Sequence, residues 1–288
     1  MTPAADGVES DCERDELFMR RALELGESVR LRTSPNPWVG SVVVGSDGSP
    51  VGEGATAPPG GAHAEVAALR AAGGRASGST LYTTLEPCAH HGRTPSCAEA
   101  IVQAGVARVV ASVIDPDGHV NGRGMARLRA ARVRVTTGVL EEKVESLLAP
   151  YLKHRRSGRP YVVLKLAATA DGRIAARDGS SKWITGPEAR ADVQLLRRES
   201  DAVLVGARTI RMDDPMLTVR GRPGAGAGRP DEAGGQGGGA AERSGEATGQ
   251  YAQAGRELLR VVLGRLPKDG ARAAPALELS GDLRGVLD

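Results

Sequence analysis

Apolar and polar positions follow two rhythms in the first half of this chain. In "DELFMRRALELGESV", Leu17, Met19, Ala22, Leu23 and Leu25 recur at helical spacing and predict a helix ending near Gly26. "PWVGSVVVGSDGSPVGEGA" then reads as a strand, an Asp47-Gly48 hairpin turn and a second strand. "HAEVAALRAAGG" is an alanine-rich helix stopped by two glycines, and "STLYTTLEP" is a β-branched strand broken by Pro87. Helix "CAEAIVQAGV", strand "ARVVASVI", helix "GMARLRAARV" and strand "RVTTGVL" follow. This alternation predicts a mostly parallel or mixed sheet between helices.

The basic stretch "KHRRSGRP", Lys153 to Pro160, follows a short helix and reads as a domain connection. The expected organisation is a first domain over 1–150, a linker over 151–160 and a second domain over 161–288. "YVVLKLAATADGRIA" opens the second α/β unit, "PEARADVQLLRRES" is a helix with Ala189, Val193 and Leu196 on one face, and "DAVLVG" is a buried-type strand. Residues 221–250 are glycine-rich with almost no large apolar side chain, which predicts a flexible insert. "ELLRVVLGRLP" resumes as one more strand.

Composition narrows the function classes. The 288 residues are 40% hydrophobic and 25% charged, as in a soluble globular protein of two domains. Aromatics make up only 2%, so a stacking surface for nucleic acid has little to draw on. The net charge of +3 decides nothing between a small anion and a polymer. No run approaches the ~18 apolar residues of a membrane span, and "MTPAADGVESDCERDELFMRR" has no signal-peptide core. The expected setting is a reducing cytoplasm, without nucleic-acid or membrane partners. There the close cysteines Cys88 and Cys97 favour a metal over a disulfide, while Cys12 stands alone in a polar leader.

His63, Cys88 and Cys97 supply one imidazole and two thiolates, the donor set of a catalytic Zn2+ with an open fourth position. Glu65 completes the H-x-E and P-C pattern of zinc deaminases, in which the glutamate moves protons and does not bind the metal. A spacing of two would put His63 and Glu65 on nearly opposite sides of a regular helix. His63 must therefore sit at the helix start, and "PPGGAHAE" is suitably irregular. A structural zinc with His90 or His91 as fourth ligand is the main alternative.

Eight residues, "AHHGRTPS", separate Cys88 from Cys97, where polymer-acting deaminases use two. With "PNPWVG", "EPCAHHGRTPSC", "DGRIA", "SKWIT", "DVQLLR" and "DDPMLTVR", the chain resembles the bifunctional riboflavin-biosynthesis deaminase/reductase family over most of 15–220. The resemblance implies an α/β chain: a cytidine-deaminase-like three-layer domain, then a partial dihydrofolate-reductase-like domain. It also implies a phosphorylated small-molecule substrate. The first domain would remove the 2-amino group of 2,5-diamino-6-(ribosylamino)pyrimidinone 5′-phosphate as ammonia. The second would use NADPH to reduce the ribose.

In the first site the resemblance gives substrate contacts to Asn36, His90 and Arg93. In the second it gives NADPH contacts to Ala167, Trp183, Thr209 and Asp213, and substrate contacts to Ser181, Arg197, Leu217 and Arg220. Arginines suit a ribose phosphate, and an indole can pack on a cofactor ring.

Three departures accompany the resemblance. Thr56 stands where the family often has histidine, and "DPDGHVNGRG" replaces a more usual D-P-N-P start. No glycine pair of the E-G-G type follows "LLRVVLGRLP", so the reductase domain reads as shortened and its reduction as weak or absent. Unpaired strands there would invite a homo-oligomer. The alternatives are a nucleoside or tRNA deaminase of the same fold, and a deaminase with a non-catalytic second domain.

Overall fold

The computed structural model describes residues 5–89, 96–219, 258–263 and 277–279. They divide into two compact units between Leu164 and Lys165. Unit 1 is built on helix α1 (Ala5–Ser28), strands β1 (Gly40–Val44) and β2 (Pro50–Ala55), helix α2 (Ala64–Ala72) and strand β3 (Thr80–Leu85). Helix α3 (Cys97–Gln103), strand β4 (Arg108–Val113), helix α4 (Arg123–Ala130), strand β5 (Arg134–Thr137) and helices α5 (Glu141–Leu147) and α6 (Ala149–Ser157) follow. The sheet order is β2-β1-β3-β4-β5. β1 is antiparallel to both β2 and β3, whereas β3, β4 and β5 are parallel.

The two-residue period of the strands sorts side chains into opposite layers. Val43, Leu81 and Val109 pack with Ala68, Leu69, Ala98, Ile101, Met125 and Leu128 of α2, α3 and α4. Their chain neighbours Val42, Tyr82 and Val110 pack instead on Met19 and Ala22 of α1. A third cluster seats Val144, Leu148 and Leu152 on Val39, Leu85 and Val113. The helix–sheet–helix sandwich expected from the alternation is present. α2 lies hard on β2: a Cβ at Gly52 would come 2.3 Å from the Ala68 carbonyl, and one at Gly54 2.4 Å from that of Ala64.

Two boundaries differ from the sequence reading. α1 extends upstream of "DELF" through the polar stretch that holds Cys12. Ion pairs one turn apart, Arg14–Asp11 at 2.6 Å and Arg20–Glu16 at 2.7 Å, run along it. The basic run expected as linker is helical through Ser157, with Leu152 buried and Gly158 closing the helix at φ 68°.

Unit 2 contains helix α7 (Pro187–Glu199), strand β6 (Ala202–Gly206), helix α8 (Ala207–Asp213) and strands β7 (Leu259–Leu263) and β8 (Leu277–Leu279). The three strands form a parallel sheet in the order β6-β7-β8. β6 is not the fully buried strand expected. Val203 and Val205 pack on Ala207, Ile210, Leu217 and Val262, but Leu204 on the other face is exposed. The expected opening segment forms no strand among the described residues, and Tyr161, Val162, Val163, Leu164 and Leu166 are exposed. The glycine-rich stretch 221–250 lies outside the described residues.

One buried polar cluster pins α1 to the sheet of unit 1. Arg108 on β4 grips Asp15 with two bonds, of 2.8 and 2.6 Å, and also donates to the Thr136 hydroxyl on β5 at 3.0 Å. Tyr82 on β3 donates to the same carboxylate at 2.9 Å. Removing one partner of a buried pair leaves the other charge uncompensated. Asp15→Ala is therefore expected to destabilise unit 1 by about 3–5 kcal/mol, measured by urea unfolding; a loss near zero would show the cluster to be dispensable.

Candidate active site

Three backbone entrances converge on the metal-type residues. β3 ends at Leu85 and turns through Pro87 into Cys88. Cys97 opens α3, and His63 immediately precedes α2. His63 is extended (φ −71°, ψ 160°), and its carbonyl accepts the Ala67 N–H at 3.0 Å. It is thus outside the helix while Glu65 is in the first turn, which removes the conflict posed by their spacing of two. Ser96 caps α3 by accepting the Glu99 N–H at 3.4 Å, and its hydroxyl donates to the Cys88 carbonyl at 2.9 Å. The sequence reading passed over Ser96. Its signal is the S-x-x-E pattern of Ser96 and Glu99, a capping box.

His63 Nδ1 lies 3.2 Å from Cys97 Sγ and 3.7 Å from Cys88 Sγ, and the three donor atoms all fall within 4.8 Å of one another. Zinc bonds of about 2.0–2.3 Å place tetrahedral donors about 3.5–3.8 Å apart. Spacing and chemistry therefore fit zinc, and among the described residues this is the group able to hold it. The Cys97 N–H points at Cys88 Sγ from 3.4 Å, a backbone dipole that favours a thiolate.

Protons in the metal-free group are shared unequally. The hydrogen bond from Cys97 holds the Cys88 thiol well below its ordinary range against the opposing effect of burial, with His63 assisting. The same bond, then burial and the charges of Glu65 and Cys88, push the Cys97 thiol well up. His63 is raised by its bond to Cys88, against desolvation. Glu65 is 4% exposed, and burial lifts it to about 7 although His63 opposes the shift. A buried carboxyl near neutrality can both accept and donate a proton at physiological pH.

Around the group, Val120 packs on Cys88 and Cys97. Thr56 is buried: its hydroxyl accepts the Val39 N–H at 3.0 Å, tying the end of β2 to the start of β1. Asn36 lies in the turn before β1, where its N–H donates to the Thr33 carbonyl at 2.8 Å. His90 and Arg93 lie outside the described residues.

The second set of expected residues falls within unit 2. Trp183 is 70% exposed, with the Arg190 guanidinium 4.5 Å above its ring and an Arg190 N–H bonded to the Thr185 carbonyl at 2.6 Å. Sequence reasoning missed Arg190. Ser181 meets Asp213 at 3.5 Å, and Arg197 donates to the Thr218 carbonyl at 3.2 Å. Thr209 and Asp213 are exposed on α8, and Ala167 is half-buried. Leu217 is buried with Ala207, Ile210 and Val262. Arg220 lies outside the described residues.

Comparison with known proteins supplies the family. Residues 12–113 match the "cytidine and deoxycytidylate deaminase zinc-binding region", and residues 160–273 match the "RibD C-terminal domain". The structure is similar to Acinetobacter baumannii RibD, with a TM-score of 0.80 and 37% identity over 96% of this chain and 76% of that one. The chain belongs to the RibD family.

A Thermotoga maritima deaminase/reductase of this family gives a TM-score of 0.75 and 36% identity, covering 93% of this chain and 69% of that one. Riboflavin biosynthesis protein RibD of Escherichia coli is 53% identical over 207 residues, 72% of this chain. The chain spans 56% of the length of that relative, and 56% of the Chlamydia pneumoniae protein. Within the RibD frame, unit 1 is the cytidine-deaminase-like domain and unit 2 the dihydrofolate-reductase-like one, as the resemblance implied.

The burial of Glu65 has a consequence for stability. Its carboxyl titrates near 7 when folded and at the ordinary 4.5 when unfolded, so the folded metal-free protein holds an extra proton between those values. That raised pKa makes stability fall as pH rises from about 4.5 to 7. Glu65→Gln abolishes this loss. In chelator, the variant is expected to gain up to about 3 kcal/mol over the parent at pH 8 compared with pH 4. Urea unfolding at the two pH values checks it; an equal difference at both would contradict the burial argument.

Proposed function

We propose that unit 1 is a zinc-dependent hydrolytic deaminase acting on 2,5-diamino-6-(ribosylamino)pyrimidinone 5′-phosphate. The observation that carries this reading is a buried Glu65 beside the convergent His63, Cys88 and Cys97. His63 Nδ1 and the two thiolates would hold the ion. Zinc bound there would supply a water acidified toward neutral pH as the nucleophile. Glu65 takes a proton from the attacking water on a carboxylate oxygen and returns it to the 2-amino nitrogen; C2 gains the water oxygen, its bond to that nitrogen breaks, and ammonia leaves. Its burial excludes competing bulk water. Asn36, His90 and Arg93 are assigned to the pyrimidine and its phosphate, which an arginine suits.

For unit 2 we infer binding of NADPH through Ala167, Trp183, Thr209 and Asp213. Ser181, Arg197, Leu217 and Arg220 are assigned to the ribose phosphate. The match over 160–273 supports this reading. The two units, which divide between Leu164 and Lys165, go with this division of labour. A reducing cytoplasm suits the free Cys12, Cys88 and Cys97. No helix among the described residues is long and apolar enough to cross a membrane.

Purified protein is expected to hold about one zinc per chain and to release ammonia from the diaminopyrimidine phosphate but not from cytidine or tRNA. Glu65→Gln should keep the zinc and lose a factor of about 10²–10⁴ in rate. Ammonia release by this variant at the parental rate would sink the mechanism.

A further inference from the structure

Glu86 lies between the end of β3 and Pro87–Cys88 and is 3% exposed. Its carboxylate accepts four backbone N–H groups. Oε1 takes those of Gly124 at 2.9 Å and Met125 at 3.3 Å, and Oε2 takes those of Gly122 at 2.9 Å and Asp115 at 3.3 Å. All four donors belong to one segment, 115–125, which leads from β4 into the first turn of α4. Gly122, the residue before that helix, has φ 83° and no side chain to cap it. Glu86 supplies the missing cap from 36 positions upstream.

The same segment presses on the metal group. Val120 is packed on Cys88 and Cys97, and a Cβ on Gly124 would come 1.8 Å from the Pro87 carbonyl oxygen. The backbone on the other side is fixed as well, because the Glu86 N–H bonds to the Val113 carbonyl at 2.9 Å. Pro87–Cys88 is therefore held between the end of β4 and the 115–125 segment, and the Glu86 carboxylate ties it to that segment.

We propose that Glu86 is a positioning residue of the zinc centre: by binding segment 115–125 against Pro87, it sets where Cys88 Sγ stands relative to His63 and Cys97. The inference rests on the zinc reading above. A carboxylate is required because the surrounding groups are all donors. Glutamine would turn an NH2 donor toward one pair of N–H groups and leave them without an acceptor. Aspartate keeps both oxygens on a side chain one carbon shorter.

The test uses the full chain, with Tyr82→Phe as a control that weakens the α1 side of the sheet without touching the metal side. Zinc affinity is read by chelator competition, ligand geometry by the thiolate-to-metal absorption of the Co2+ protein, and fold by urea unfolding of the metal-free protein. Glu86→Gln is expected to weaken zinc binding about 10–100-fold and to shift the Co2+ bands, with Glu86→Asp recovering part of both. Tyr82→Phe should lose stability while its zinc affinity and Co2+ spectrum stay parental. If Glu86→Gln does not fold, Gly124→Ala displaces Pro87 from the other side and should give the same spectral shift. Parental affinity and bands in the variant that folds, or a zinc loss reproduced by Tyr82→Phe, would overturn the proposal. A parental chain that binds no zinc would overturn the zinc reading, and this inference with it.

Discussion

Unit 1 depends on one convergence: an imidazole and two thiols from three separate segments must meet within 4.8 Å. Each donor stands where backbone direction is well defined, at a strand end or a helix N-terminus. Such positions also offer free N–H groups, so the electrostatics that favour thiolates come with the geometry. The three-layer sandwich is what holds those ends in register. Parallel β3 and β4 place Cys88 beside the loop that leads into α4, and α2 and α3 share one face of the sheet.

Much of this was legible in the sequence because the relevant physics is local. The alternation of β-branched strands with alanine-rich helices carries the layer order, and Asp47-Gly48 carries the hairpin. The requirement that His63 precede its helix followed from the spacing to Glu65, and the extended backbone at His63 meets it. Ser96 was equally local but overlooked. Glu86 was not legible, since its meaning depends on Gly122 and Gly124 more than 30 residues away. No short-range pattern encodes a carboxylate that caps another segment's helix.

Unit 2 shows the opposite balance. "DAVLVG" looks like a strand covered on both faces, yet Leu204 is exposed while Val203 and Val205 are packed. A short apolar run records the chance to be buried, and only the neighbours decide whether that chance is used. The Trp183–Arg190 stack was also out of reach, because Trp183 lies in the turn before α7 and Arg190 within that helix, so no single periodic element relates them.

The seating of α2 on the bare backbone of Gly52 and Gly54 has a mechanical consequence. Between most helices and sheets, side chains form a cushion that absorbs small displacements by changing rotamer. Here Ala64, Ala68 and Ala72 meet glycine, and none of these residues has a rotamer to change. A shift of β2 is thus transmitted undamped to α2, and from the start of that helix to His63 and Glu65. The alanine-rich face of α2 and the firm placement of His63 and Glu65 at its start are two aspects of the same tight interface.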